Sequence, residues 1–166
     1  MNVALQELDA FRHRHHPRPP EFIRFCREAL QLNLSDGLRL LGPAPVTGFA
    51  HGTPPSSSTD SEANRYLWVI DTGGIPYIIE SPVAALGSEL PKHTNLTGGN
   101  DAYLGGEMWF ASSMALYVSG GSGRYPPVDG NQLEEAVRVF DAFGYHVISL
   151  GWDQSTGRPR RVLETS

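Results

Sequence analysis

The run YLWVIDTGGIPYIIE, residues 66–80, decides the fold. Two apolar stretches rich in β-branched and aromatic residues flank Thr72-Gly73-Gly74, which reads as a β-hairpin closed by a glycine turn. Downstream, EMWF at 107–110 and ALYV at 115–118 predict two more short strands around Ser112-Ser113. Asp129-Gly-Asn-Gln132 has capping-box spacing. Leu133, Ala136, Val137, Phe140 and Phe143 then fall on one helix face, and Gly144 stands where a C′ residue belongs. YHVISL, residues 145–150, predicts a following strand, and DQSTGRPRRVL, residues 153–163, a turn and a short final strand.

Upstream of the hairpin the pattern changes. Val3 to Phe11 predicts a short amphipathic helix with Leu5, Leu8 and Phe11 on one side. HRHHPRPP, residues 13–20, ends it, because prolines remove donors and push their neighbours out of helical space. His13, His15 and His16 cluster there, but a proline-broken stretch reads as a polar linker rather than a metal site. Glu21 to Leu34 predicts a second helix, with Phe22, Phe25, Cys26, Ala29 and Leu32 at helical spacing and Cys26 as a core thiol. Ser35-Asp36-Gly37 closes that helix, and residues 42–64, rich in Pro, Gly and Ser, predict a long loop. The expected organisation is an N-terminal helical segment and loop over 1–64, then a core domain over 65–166. The fold class is α+β: N-terminal helices, then a small antiparallel sheet with one C-terminal helix packed on it.

Bulk properties narrow the function. One cysteine excludes an internal disulfide, and no apolar run approaches the roughly 20 residues of a membrane span. The first residues lack the basic start and apolar stretch of a secretion signal, so a cytoplasmic setting is expected. A net charge of −5 argues against sequence-blind binding to a long duplex, which needs a positive face. The arginines nonetheless cluster, at Arg12, Arg14 and Arg18 and again at Arg158, Arg160 and Arg161; both sets read first as solvated surface.

Three glycine-flanked polar segments stand at expected strand ends. They are Lys92-His93-Thr94, Gly105-Gly106-Glu107, and residues 119–127, SGGSGRYPP. Glycines are needed simply to turn a small sheet. They also permit close backbone approach, and successive glycine amides make anion-binding concavities. If the segments converge, His93 transfers a proton, Glu107 is its proton partner, and Arg124 clamps an anion with the Gly120-Gly121 backbone. Thr94, Ser122 and Tyr125 then orient the substrate. That inventory suits phosphodiester chemistry without a metal or other cofactor, on RNA or a nucleotide. No zinc-type Cys/His spacing, phosphate-binding loop or dinucleotide fingerprint is present.

The string K-H-T-N-L-T-G-G, then G-G-E, then S-G-R-Y-P-P resembles a pattern in small bacterial domains, stand-alone or at the C-termini of polymorphic toxins. There K-H-[ST]-x-L precedes [AG]-G-E and S-G-[HR]-Y-x-P. The resemblance covers roughly residues 66–150 and implies a shared site of His93, Thr94, Glu107, Ser122, Arg124 and Tyr125, with a ribonuclease-like toxin as the associated activity. Arg124 stands where the pattern often has histidine, which leaves His93 the sole imidazole. Two alternatives remain open. One is a non-enzymatic acidic module, of immunity-protein type, that binds a small ligand or protein partner. The other follows from F-A-H-G-T, residues 49–53, which is similar to the first motif of ADP-ribosyltransferases and places His51, Gly52 and Thr53 on NAD. A late catalytic glutamate is then required, and Glu164 lies in the tail. His146, within a strand, reads as a partly buried structural imidazole.

Overall fold

A computed structural model describes residues 2–57 and 64–163. It is mixed α+β. Strands β1 (Arg39–Leu40), β2 (Tyr66–Ile70), β3 (Pro76–Ile79), β4 (Leu104–Ser112), β5 (Ala115–Ser119) and β6 (His146–Ser149) form one sheet in the order β1-β3-β2-β4-β5-β6. All neighbouring pairs are antiparallel except β5 and β6, which run parallel because α3 (Gly130–Ala142) carries the chain back between them. The sheet is therefore mostly, not wholly, antiparallel. A separate hairpin pairs β7 (Trp152–Asp153) with β8 (Arg158–Pro159).

All five β2 residues are buried, because both faces of the sheet are covered. Tyr66, Trp68 and Ile70 point towards α1 (Val3–Arg14) and α3, joining Phe11, Met108, Phe110 and Phe140 in the larger core. Leu67 and Val69 point the other way, to Leu32, Ile78, Leu96 and Tyr125. The boundary expected after residue 64 does not separate two cores: α1 packs into the main core and β1 is a strand of the sheet. On α1 the inward residues are Ala4, Leu8 and Phe11, while Leu5 is exposed.

The C-terminal helix forms as its pattern predicts. Asp129 Oδ1 accepts from the Gln132 amide at 2.8 Å, and Gly144 follows the helix with φ 97°. The box is completed one residue early, since Gln132 Oε1 accepts from Val128 N at 2.8 Å. The helix expected over Glu21–Leu34 does not form. Only 3₁₀ turns at Cys26–Ala29 and Leu34–Asp36 appear, and Phe22, Phe25 and Cys26 are exposed. The cause is tertiary capture of its backbone. Asn95 Nδ2 donates to the carbonyls of Arg27 and Leu30, Leu32 N donates to Asn95 O, and Glu21 N donates to Arg124 O. These bonds replace the i→i−4 ladder and leave the apolar spacing without a helix to decorate.

Residues 42–57 follow an irregular path yet are anchored, with Val46 N bonded to Ser113 O and Gly52 N to Phe110 O. His15 reaches Glu135 on α3 and His13 reaches the Asp9 carbonyl; His146 is exposed rather than partly buried. Among the described residues no three His, Cys, Asp or Glu side chains are grouped to hold a metal ion, and no helix is long and apolar enough to cross a membrane.

Candidate functional site

Strand periodicity builds the site. Along β4, Gly106, Met108 and Phe110 face the helices, so Gly105 and Glu107 share the opposite face. A Cβ at Gly106 would lie 2.0 Å from the Ser119 carbonyl oxygen and 2.5 Å from the Trp68 ring, so only glycine fits. A Cβ at Gly105 would stand 3.0 Å from His93 Cδ2 and 3.2 Å from Ser122 Oγ. The bare backbone there lets the imidazole lie against the strand. His93 stands at the start of the one-turn helix α2 (Thr94–Thr97), which the sequence pattern did not reveal.

The imidazole is 7% exposed, and its Nε2 is 2.8 Å from the Gly106 carbonyl oxygen. A carbonyl only accepts, so Nε2 carries the proton. Burial pushes the ring's pKa down to about 4; the Gly106 bond opposes that shift, while the charges of Arg161, Arg124 and Arg65 reinforce it. At neutral pH the ring is therefore uncharged and Nδ1 holds a lone pair. That nitrogen has no protein partner among the described residues.

His93, Glu107 and Arg124 line one cavity of about 200 Å³ together with Arg65, Lys92 and Arg161. The three segments picked from the sequence do converge. Glu107 is 5% exposed, with Oε2 3.2 Å from Arg65 Nη1, and Arg65 also grips Glu80 through Nε at 3.0 Å. Four cationic side chains against two carboxylates make the lining favourable to an anion.

Several expected roles change. The fork of Arg124 is already filled: its Nε donates to Glu28 Oε1 at 2.7 Å and its Nη2 to Glu28 Oε2 at 3.0 Å, beneath the ring of Phe22. Burial alone would raise the Glu28 pKa. The bonds from Arg124 and the Arg24 amide, with the charge of Arg124, outweigh burial and hold the carboxyl below its usual range. Thr94 is fully buried and donates to the same Glu28. Tyr125 is 1% exposed and lies in the core, its hydroxyl 2.7 Å from Thr97 Oγ1 and 2.6 Å from the Asn100 carbonyl oxygen. Thr94 and Tyr125 are scaffold, and Arg124 joins the cavity wall to residues 21–34. Ser122 lines the cavity while accepting from Tyr125 N, and Gly121 lines it too. Gly120 packs instead against Pro127, Leu133 and Pro159.

The cations free to meet an anion are Lys92 and Arg161, whose side chains have no ion pair or hydrogen bond among the described residues. A Cβ at Gly121 would sit 2.8 Å from both Arg161 Nε and Glu107 Oε1, which places those two groups side by side. Sequence reading put Arg161 in a surface cluster; its place here follows from the β7–β8 hairpin, whose contacts carry no sequence signature. His51, Gly52 and Thr53 do not line the cavity, and Glu164 lies outside the described residues. No family model, curated protein or solved structure matches the chain.

Proposed function

We propose that the chain is a metal-independent enzyme that cleaves or transfers at a phosphodiester of RNA or a nucleotide. One observation carries the reading: an uncharged imidazole, its Nδ1 unpartnered among the described residues, shares a small cavity with two cations, Lys92 and Arg161, that form no ion pair or hydrogen bond among those residues. On RNA, the 2′-hydroxyl oxygen attacks the adjacent phosphorus and its proton passes to His93 Nδ1. The P–O5′ bond then breaks, and the imidazolium returns that proton to the departing 5′ oxygen, leaving a 2′,3′-cyclic phosphate. Arg161 and Lys92 balance the charge gathering on the phosphoryl oxygens. Substrate anion offsets the three arginine charges that add to the lowering of the His93 pKa by burial, which favours its transient protonation. Glu107 holds Arg65 in place beside the same oxygens and offers a second proton acceptor.

The toxin-like resemblance of the K-H-T and S-G-R-Y segments agrees with this reading. The paired state of Arg65, Glu107 and Arg124 also suits a rigid anion-binding module without turnover. Incubation with a panel of single-stranded RNAs and nucleotides separates the two. Cyclic-phosphate ends should form with turnover, and His93→Ala and Arg161→Ala should each slow the reaction at least about 100-fold. Stoichiometric binding without product, or wild-type rates in His93→Ala, would overturn the enzymatic reading.

A further inference from the structure

Next to the His93 cavity lies a second, larger concavity of about 1110 Å³, between Pro126-Pro127 and the β7–β8 hairpin. The two share Ser122, Gly123 and Arg161, so they meet over the glycine-rich turn rather than lying apart. Arg158, exposed on β8 with a side chain that makes no ion pair or hydrogen bond among the described residues, lines the larger groove with Arg160 and Trp152. Arg160 Nε donates to the Trp152 carbonyl at 3.4 Å, which ties the guanidinium along the groove wall. The indole of Trp152 lies over Gly130, where a Cβ would stand 3.0 Å from Cγ. Arginines spaced along a channel beside a half-buried indole that lines it are the elements of single-strand recognition: charges track the backbone and bases stack.

Resting on the function proposed above, we infer that the substrate is an extended single-stranded RNA rather than a free nucleotide. The size of each compartment argues for this. A cavity of about 200 Å³ is smaller than the roughly 300–1,000 Å³ of typical small-ligand sites, so it takes the scissile phosphate and its sugar alone. The flanking nucleotides run over Ser122-Gly123, past Arg161 at the junction, into the groove towards Arg158 and Trp152. Glu21 and Asp153, which also line the groove, disfavour a broad duplex backbone at its rim and leave the arginine side as the track for one strand.

The test measures binding and cleavage of single-stranded oligoribonucleotides of two to eight residues by the full chain, across a salt series. Affinity should climb about tenfold or more from dimer to hexamer and then level off. Arg158→Ala should weaken the hexamer more than the dimer and lower the slope of log affinity against log salt by about 0.7, one phosphate contact's worth. Equal affinity for all lengths, equal loss for dimer and hexamer, or equally tight binding of a duplex of the same sequence would overturn the inference. The outcomes separate the two proposals. Length-dependent binding without any cleavage keeps the groove and removes the chemistry; cleavage that ignores length keeps the chemistry and removes the groove.

Discussion

Arg124 and Glu28 form a forked, two-bond pair with Glu28 only 2% exposed, and Phe22 caps the guanidinium at 4.4 Å. Removing one partner of such a pair leaves a buried charge, at a cost of about 3–5 kcal/mol. Arg124→Ala should therefore lower unfolding free energy by about that amount in urea titration. Glu28→Gln, which keeps an acceptor oxygen, should cost less. The same bond gives Arg124→Ala an indirect effect on any activity, through the loosening of residues 21–34. A variant as stable as wild type would show that the Glu28–Arg124 pair adds no net stability to the fold. The sequence makes Arg124 an anion clamp only on condition that its segment meets those of His93 and Glu107; the three do line one cavity, but the fork of Arg124 is occupied by Glu28. A residue's partner 96 positions away is set by tertiary folding, and Glu28 sat in a segment whose spacing advertised a helix.

At the scale of elements, β4 is the spine on which the site is hung. Gly106 abuts Ser119 backbone on β5 and the Trp68 ring on β2, both held in the sheet, so an added methyl has no flexible group to displace. Gly106→Ala should destabilise the protein by about 3 kcal/mol or more, read from the denaturation midpoint. Gly105→Ala meets the His93 ring at 3.0 Å, the Trp68 carbonyl oxygen at 3.1 Å and the Ser122 hydroxyl at 3.2 Å, all looser than the 2.0 Å approach at Gly106, and should shift the imidazole at a smaller stability cost. Equal costs for the two would mean that β4 does not present alternate glycines to opposite faces. The strands around these glycines were legible because period-two alternation and turn glycines are local signals, and so was α3 with its Asp129 cap. Residues 21–34 were misread because their backbone donors and acceptors are satisfied by Asn95 and Arg124, and β1 is too short to leave a pattern. The one-turn α2 was invisible for the same reason.

Across the whole molecule, acidity should act through the buried imidazole that joins β4 to α2. His93 folds with a pKa near 4, below its ordinary 6.5, so between those values the unfolded chain binds a proton that the folded chain refuses. Stability linked to His93 is thus complete above about pH 6.5 and lost as pH falls towards 4. It amounts to on the order of 3 kcal/mol, from about 1.4 kcal/mol for each unit of displacement. Glu28, also held below its usual range, adds a loss at still lower pH and in the same direction. Urea unfolding at pH 7.5 and 4.5 isolates the imidazole when wild type is compared with His93→Gln, which can still donate to the Gly106 carbonyl but does not titrate. Wild type should lose about 2–3 kcal/mol more than the variant over that interval, and parallel losses would show that the ring is solvated in the fold. An enzymatic rate should follow the same group. Its acid limb in free enzyme should fall near pH 4 rather than 6.5, because the base is already unprotonated throughout the neutral range.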